Sequence, residues 1–148
     1  MTSLRERIVK NVVTILKERA DPGFRLVTRE PFNVAELAIT QFPAVLVNFA
    51  GEERTSVSMG APAVGRRTGQ ISLELRGFVR GNELDLKRNE LISSVEDALD
   101  LDRYLDLRSA GVLDSQVVTI DVIERQPPLA EVLITFVINY NYLRGSQA

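Results

Sequence analysis

The sequence predicts an α+β domain: an antiparallel or mixed β-sheet of about four to five strands, two main helices packed on one face, and an extended β-hairpin arm. Three observations carry that expectation. Segments 3–19 and 84–99 repeat apolar residues at helical spacing. Segments 71–79 and 130–143 alternate apolar and polar residues with the period of two that a half-buried strand requires. Helices are few and the strand-like runs follow one another at hairpin distances, which favours helices gathered on one face of the sheet.

The first helix spans 3–19. Ser3 and Glu6 have the spacing of a capping box, and Leu4, Ile8, Val12, Ile15, Leu16 and Arg19 fall on one stripe. Pro22 and Gly23 end it. Residues 24–29 read as a short strand broken by Pro31, and 33–38 as a helical turn capped by Asn33. A stronger strand follows over 44–49, then polar Gly51, Glu52 and Glu53.

Residues 54–70 hold Ser56, Ser58, Gly60, Pro62, Gly65 and Gly69, with Arg66 and Arg67 near the end. So long an irregular stretch in a compact domain is functional or flexible; it reads either as a loop or as the tip of a hairpin. In 71–79, Ile71, Leu73, Leu75 and Val79 share one face, and Ser72, Glu74 and Arg76 the other. After a turn at Gly81 and Asn82, the second helix places Leu84, the Lys87 stem, Leu91, Val95, Ala98 and Leu99 inward, with Ile92 beside them. A short helical turn is expected over 102–107, a loop around Gly111 over 109–115, and a strand over 117–124, stopped by Pro127 and Pro128. The closing strand, 130–143, sets Val132, Ile134, Phe136, Ile138, Tyr140 and Tyr142 on its core face and Leu133, Thr135, Val137, Asn139 and Asn141 on the other. Residues 144–148 read as a loose tail.

With 148 residues, 45% hydrophobic and 26% charged, the chain has the size and composition of one self-sufficient domain. A net charge of −2 argues against a dedicated nucleic-acid binder. No Cys is present, which suits a reducing compartment. No apolar run approaches the ~20 residues of a spanning helix, and the N-terminal segment has no secretory core. The expectation is a protein with no membrane partner that stays where it is made until it is incorporated into something larger.

Chemistry is sparse. Without His, the commonest general base and most zinc sites are gone. The run from Gly60 to Thr68 imitates a phosphate loop, but Arg66 replaces the Lys, Thr68 comes one place late, and a strand follows where a helix is required. Asp100, Asp102 and Asp106 lack the Gly and distal Glu of a calcium loop, and read as a solvated helix end or an interface charge cluster. No enzyme activity, metal or cofactor is expected. Glu52 and Glu53 can pair with Arg54, or with Arg66 and Arg67 across a hairpin. These are either exposed ion pairs worth about 0–1 kcal/mol each or bridges between subunits. Leu133 and Val137 are either under a second layer or hidden by a partner. The candidate subunit-contact residues are thus Glu52, Glu53, Arg54, Arg66, Arg67, Leu133, Val137 and Asn139.

Taken together, the leading helix, the run Phe42-Pro-Ala-Val-Leu-Val47, the polar hairpin, the strand Gln70 to Val79, the helix Asn89 to Leu99, the strand 117–123 and the closing Phe136-Val-Ile-Asn-Tyr-Asn-Tyr142 resemble the tail terminator, or minor tail completion, proteins of long-tailed bacteriophages. The resemblance covers about residues 4–142 and rests on structural motifs. It implies a virion protein forming a hexameric ring that caps the neck-proximal end of the tail tube, stops its growth and joins the tail to the head connector. The implied partners are further copies of the chain, the tail tube protein, the connector or stopper protein, the sheath if the tail is contractile, and DNA in passage through the lumen. Such rings use sheet edges and extended arms in heterologous contacts, and 54–70 is the candidate arm. The alternatives are another neck or tail subunit, such as a tube or sheath-associated protein, and a small α+β ligand-binding module.

Overall fold

The first helix, α1 (Leu4–Arg19), begins where Ser3 accepts the Glu6 amide at 3.2 Å. Only this half of the expected capping box is present. The Glu6 carboxylate instead takes the Arg29 guanidinium at 2.6 and 2.9 Å. The buried stripe includes Val9, and Arg19 is exposed, contrary to expectation. A computed structural model describes residues 2–21, 23–56 and 66–143 of the protein. The tip of the expected arm and the expected tail at 144–148 lie outside the described residues.

The remaining elements are β1 (Leu26–Thr28), β2 (Ala44–Ser56), β3 (Arg66–Arg80), α2 (Leu84–Asp100), β4 (Val112–Ile123) and β5 (Leu129–Leu143). They form one five-stranded sheet in the order β1-β2-β3-β5-β4. β1 runs parallel to β2 and all other pairs are antiparallel, so the sheet is mixed. The α+β class and the two helices stand as the sequence predicts.

Alternation sorts the strand residues onto two faces. Val45, Val47, Ile71, Leu73, Leu75, Val132, Ile134, Phe136 and Ile138 join the stripes of α1 and α2 in the main core. On the far face, the segment between β1 and β2 covers a second, smaller core of Val34, Ala44, Leu46 and Phe78, flanked by Phe32 and Phe42. Its 3₁₀ turn, Val34–Glu36, is capped by Asn33, whose Oδ1 accepts the Ala35 amide at 3.1 Å. Leu133 and Val137 are not part of this second layer.

Several boundaries differ from the sequence reading. At its flanks the stretch 54–70 follows the hairpin alternative and not the loop: Thr55 pairs with Thr68 and Ser56 with Arg67, so polar residues extend the ladder. The loop expected over 109–115 ends at Gly111, whose φ of +116 turns the chain directly into β4. The helical turn expected over 102–107 is displaced. The Asp102 carboxylate accepts the amides of Tyr104 and Asp106, holding a tight turn, and a 3₁₀ turn forms later at Arg108–Ala110.

The register is interrupted three times. Ala50 is an extra residue between Phe49 and Gly51 in β2, and Leu113 and Val118 are extra residues in β4. Each interruption reverses which residues face the helices. In β2 it sends Glu52 and Arg54 to the helix side and Glu53 to the far side. In β4 the two reversals turn Ser115 and Val117 inward, then return Ile120 and Val122 to the helix side.

Candidate subunit interface

The sequence-derived contact residues fall into three groups. Glu52 and Arg54 lie on the helix side of β2 where the hairpin passes the start of α1. Arg5 Nε donates to the Glu52 carboxylate at 2.5 Å, Arg54 Nε donates at 3.1 Å, and the Tyr140 hydroxyl donates to the same group. Tyr140 reaches across β3 because Gly69 lies beneath its ring; any Cβ there would collide with the ring carbons and hydroxyl. The Arg54 guanidinium also stacks 4.6 Å over the Tyr142 ring. Burial tends to raise the Glu52 carboxyl, but the hydrogen bonds from Arg5, Tyr140 and Arg54 outweigh it and hold the group below its ordinary range. Burial and the same carboxylate push the Tyr140 phenol up to about 12. Arg54, despite its partial burial, is held more firmly protonated by Tyr140 and Glu52.

Of the two expected pairings, the cluster contains Glu52 with Arg54, and it adds the distant Arg5. Glu52 faces Ile71 across the hairpin, while Arg67 stands opposite Ser56, so Glu52 pairs with Arg54 and with the distant Arg5. With a side chain only 10% exposed, it is not a surface pair. Glu53 is exposed on the far side, level with Gln70. Arg67 is half-buried on the helix side, level with Tyr142, and the Arg66 backbone pairs with Leu143.

The third group lies on the far face of β5. Asn139 accepts from Gln70 Nε2 at 3.2 Å, Leu133 is half-buried between Arg76 and Asp121, and Val137 sits between Ser72 and Gln116, only 7% exposed. This part of the face is mainly polar. Near its end, Glu131 is 1% exposed and takes Arg76 at 2.7 Å and Arg125 at 2.6 Å. Both guanidiniums also lie 5.5 Å from the Phe78 ring. The sequence gives Glu131 away only through its place among residues that otherwise alternate.

A row of exposed apolar side chains lies on β4, an edge strand among the described residues. Val122 is 56% exposed, Leu113 and Val118 44% each, Ile120 40% and Ile123 36%. Leu113 and Val118 are the two bulge residues. Ile120 and Val122 lie on the helix side, in the rows of Ile134 and Val132, beyond the cover of α2. A long apolar edge strand is a template for pairing with another chain unless something shields it. The signal is present in Val117-Val-Thr-Ile-Asp-Val-Ile123, a run of five β-branched apolar residues among seven.

The geometry therefore defines a small α+β domain with a mixed sheet, one helical layer and an open, apolar edge. No protein-family model and no curated protein matches the sequence. Among solved structures, one chain described as "Virion of native gene transfer agent (GTA) particle" is similar in fold, with a TM-score of 0.53 and 11% sequence identity, over 95% of this chain and 96% of that one.

Proposed function

We propose that this chain is a structural subunit of a phage-like virion: a tail terminator that closes into a ring, caps the neck-proximal end of the tail tube, stops its growth and joins the tail to the connector. The observation that carries the assembly reading is the uncovered β4 edge, with five large apolar residues left in water on one strand. The fold likeness to a chain of a gene transfer agent virion, nearly end to end on both chains, supports the virion setting. The mechanism is geometric. Ring closure fixes a diameter, one ring face complements the last ring of the tube, and the other meets the connector. Each copy offers two different patches, so contacts close by rotation. The hexamer, the tube and connector partners, and the sheath of a contractile tail belong to this proposal, as does the absence of a catalytic role. So does a subunit-contact role for Glu53, Arg66, Arg67, Leu133, Val137 and Asn139.

Negative-stain images of the purified protein test the ring directly. Adding the protein to polymerising tube subunits tests the terminator role. A terminator shortens tubes and sits at one end, whereas a tube or sheath-associated subunit elongates or decorates them. A strict monomer at high concentration that leaves tube length unchanged overturns the proposal.

A further inference from the structure

A hollow of about 380 Å³ opens away from β4, between α2, the end of β3 and the chain entering β1 and β2. Its floor is apolar, from Phe24, Phe42 and Leu91. Arg25, Arg80 and Lys87 line it against a single acid, the exposed Glu90. Among the described residues none of the three cations is in an ion pair. Lys87 Nζ reaches only the Arg80 carbonyl, at 3.3 Å. Ser94, 1% exposed, also lines the hollow and has no hydrogen-bond partner for its hydroxyl among the described residues.

β4 carries the complementary set. Beyond its last bulge Ile120 and Val122 lie on the helix side, and an acid, Glu124, follows directly after the strand's last residue, Ile123. Ile120, Val122 and Glu124 are all exposed, and Glu124 has no ion pair among the described residues. The two features also stand at one level. Val122 pairs with Val132, Val132 with Gly77, Gly77 with Val45 and Val45 with Val27, a single row from edge to edge. One helix-side step further, Ala130 pairs with Val79, which lines the hollow, and the Pro43 carbonyl takes the Arg25 amide at 2.9 Å.

We infer that the stripe Ile120, Val122, Glu124 of one copy seats in the hollow of the next copy, with Glu124 facing Arg25, Arg80 and Lys87. The inference rests on the ring reading above and supplies its contact. The patches differ and lie apart on the surface, so the contact is heterologous, the kind that forms a ring when its rotation closes. Side chains make the contact. Four strand-to-strand steps of about 20–25° each set the two edges nearly crosswise, which prevents one continuous ladder.

The test is charge reversal at two exposed positions, read by sedimentation equilibrium of the full chain, with thermal melts to verify folding. Glu124→Arg and Arg25→Glu each weaken self-association by about tenfold or more. The double variant, or an equimolar mixture of the two single variants, recovers to within about threefold of the unaltered chain. Arg80→Glu serves as a second reversal in the hollow, and Glu18→Arg, on the exposed face of α1, is the control. If the unaltered chain associates and the reversals leave that association intact, the hollow holds something other than a second copy; the inference fails and the ring reading stands. If the unaltered chain does not associate at all, both fall.

Discussion

Replacing Ile120 and Val122 together by Thr separates assembly from folding. Thr keeps the β-branched shape that suits a strand. At 40% and 56% exposure, the two side chains leave roughly 150 Å² of apolar surface in water, about 4 kcal/mol at ~25 cal/mol/Å² if a partner covered all of it. Thr retains part of that area, and contact burial is never fully converted into affinity. The expected loss is about 2–3 kcal/mol per contact, or roughly 30- to 150-fold in the dissociation constant. The same change in the isolated chain exposes nothing new, so folding stability stays within about 0.5 kcal/mol. Sedimentation equilibrium measures the first quantity, and urea unfolding at a concentration where the chain is monomeric measures the second. A folded double variant that associates as tightly as the original would refute the claim that this edge is where copies meet.

Three further outcomes follow from the cluster around Glu52. Its carboxyl is held below the unfolded value of 4.5, so its stabilising share is complete above about pH 4.5 and is lost as pH falls through the lower folded value; Glu52→Gln lowers stability at neutral pH and flattens that acid limb in urea titrations. Tyr140→Phe removes a donor to a charged, poorly exposed group and costs about 1.5–3 kcal/mol by urea unfolding; it also removes a loss of stability between pH 10 and about 12, where the unfolded phenol ionises before the folded one. Gly69→Ala drives a methyl into the Tyr140 ring and costs about 1–3 kcal/mol; in combination with Tyr140→Leu the added cost of the methyl disappears, and an undiminished cost in that background would show that the strain lies elsewhere.

The fold class and the element order were legible because they rest on long periodic segments. Both helices, and the core face of β5 from Val132 to Ile138, match their spacing. What escaped was whatever depends on a broken period. Glu52 and Glu53 are equivalent as text, and only the extra residue Ala50 decides that Glu52 turns toward Arg5 and Tyr140. The start of β4 read as loop because Leu113 and Val118 interrupt the alternation on either side of Ser115 and Val117. Arg5 and Glu52 are 47 residues apart, and no local pattern announces such a pair. Leu133 and Val137 stand out in the sequence on the far face of β5, whereas the exposure of the apolar residues of β4 does not. On the sheet, β4 leaves Leu113, Val118, Ile120, Val122 and Ile123 exposed, because α2 lies over β3 and β5.

The two bulges of β4 also determine which insertions and deletions the strand tolerates. Loss of one residue from a regular strand turns everything beyond it to the opposite face. Leu113 and Val118 are exceptions. The residues flanking Leu113 already pair with neighbouring Tyr140 and Asn139, and those flanking Val118 with neighbouring Phe136 and Thr135. Excision of either residue closes the gap and leaves every other pairing in place. Excision of Gln116 or Asp121 has no such neutral solution. Among homologous chains, single-residue length differences in this strand belong at those two positions.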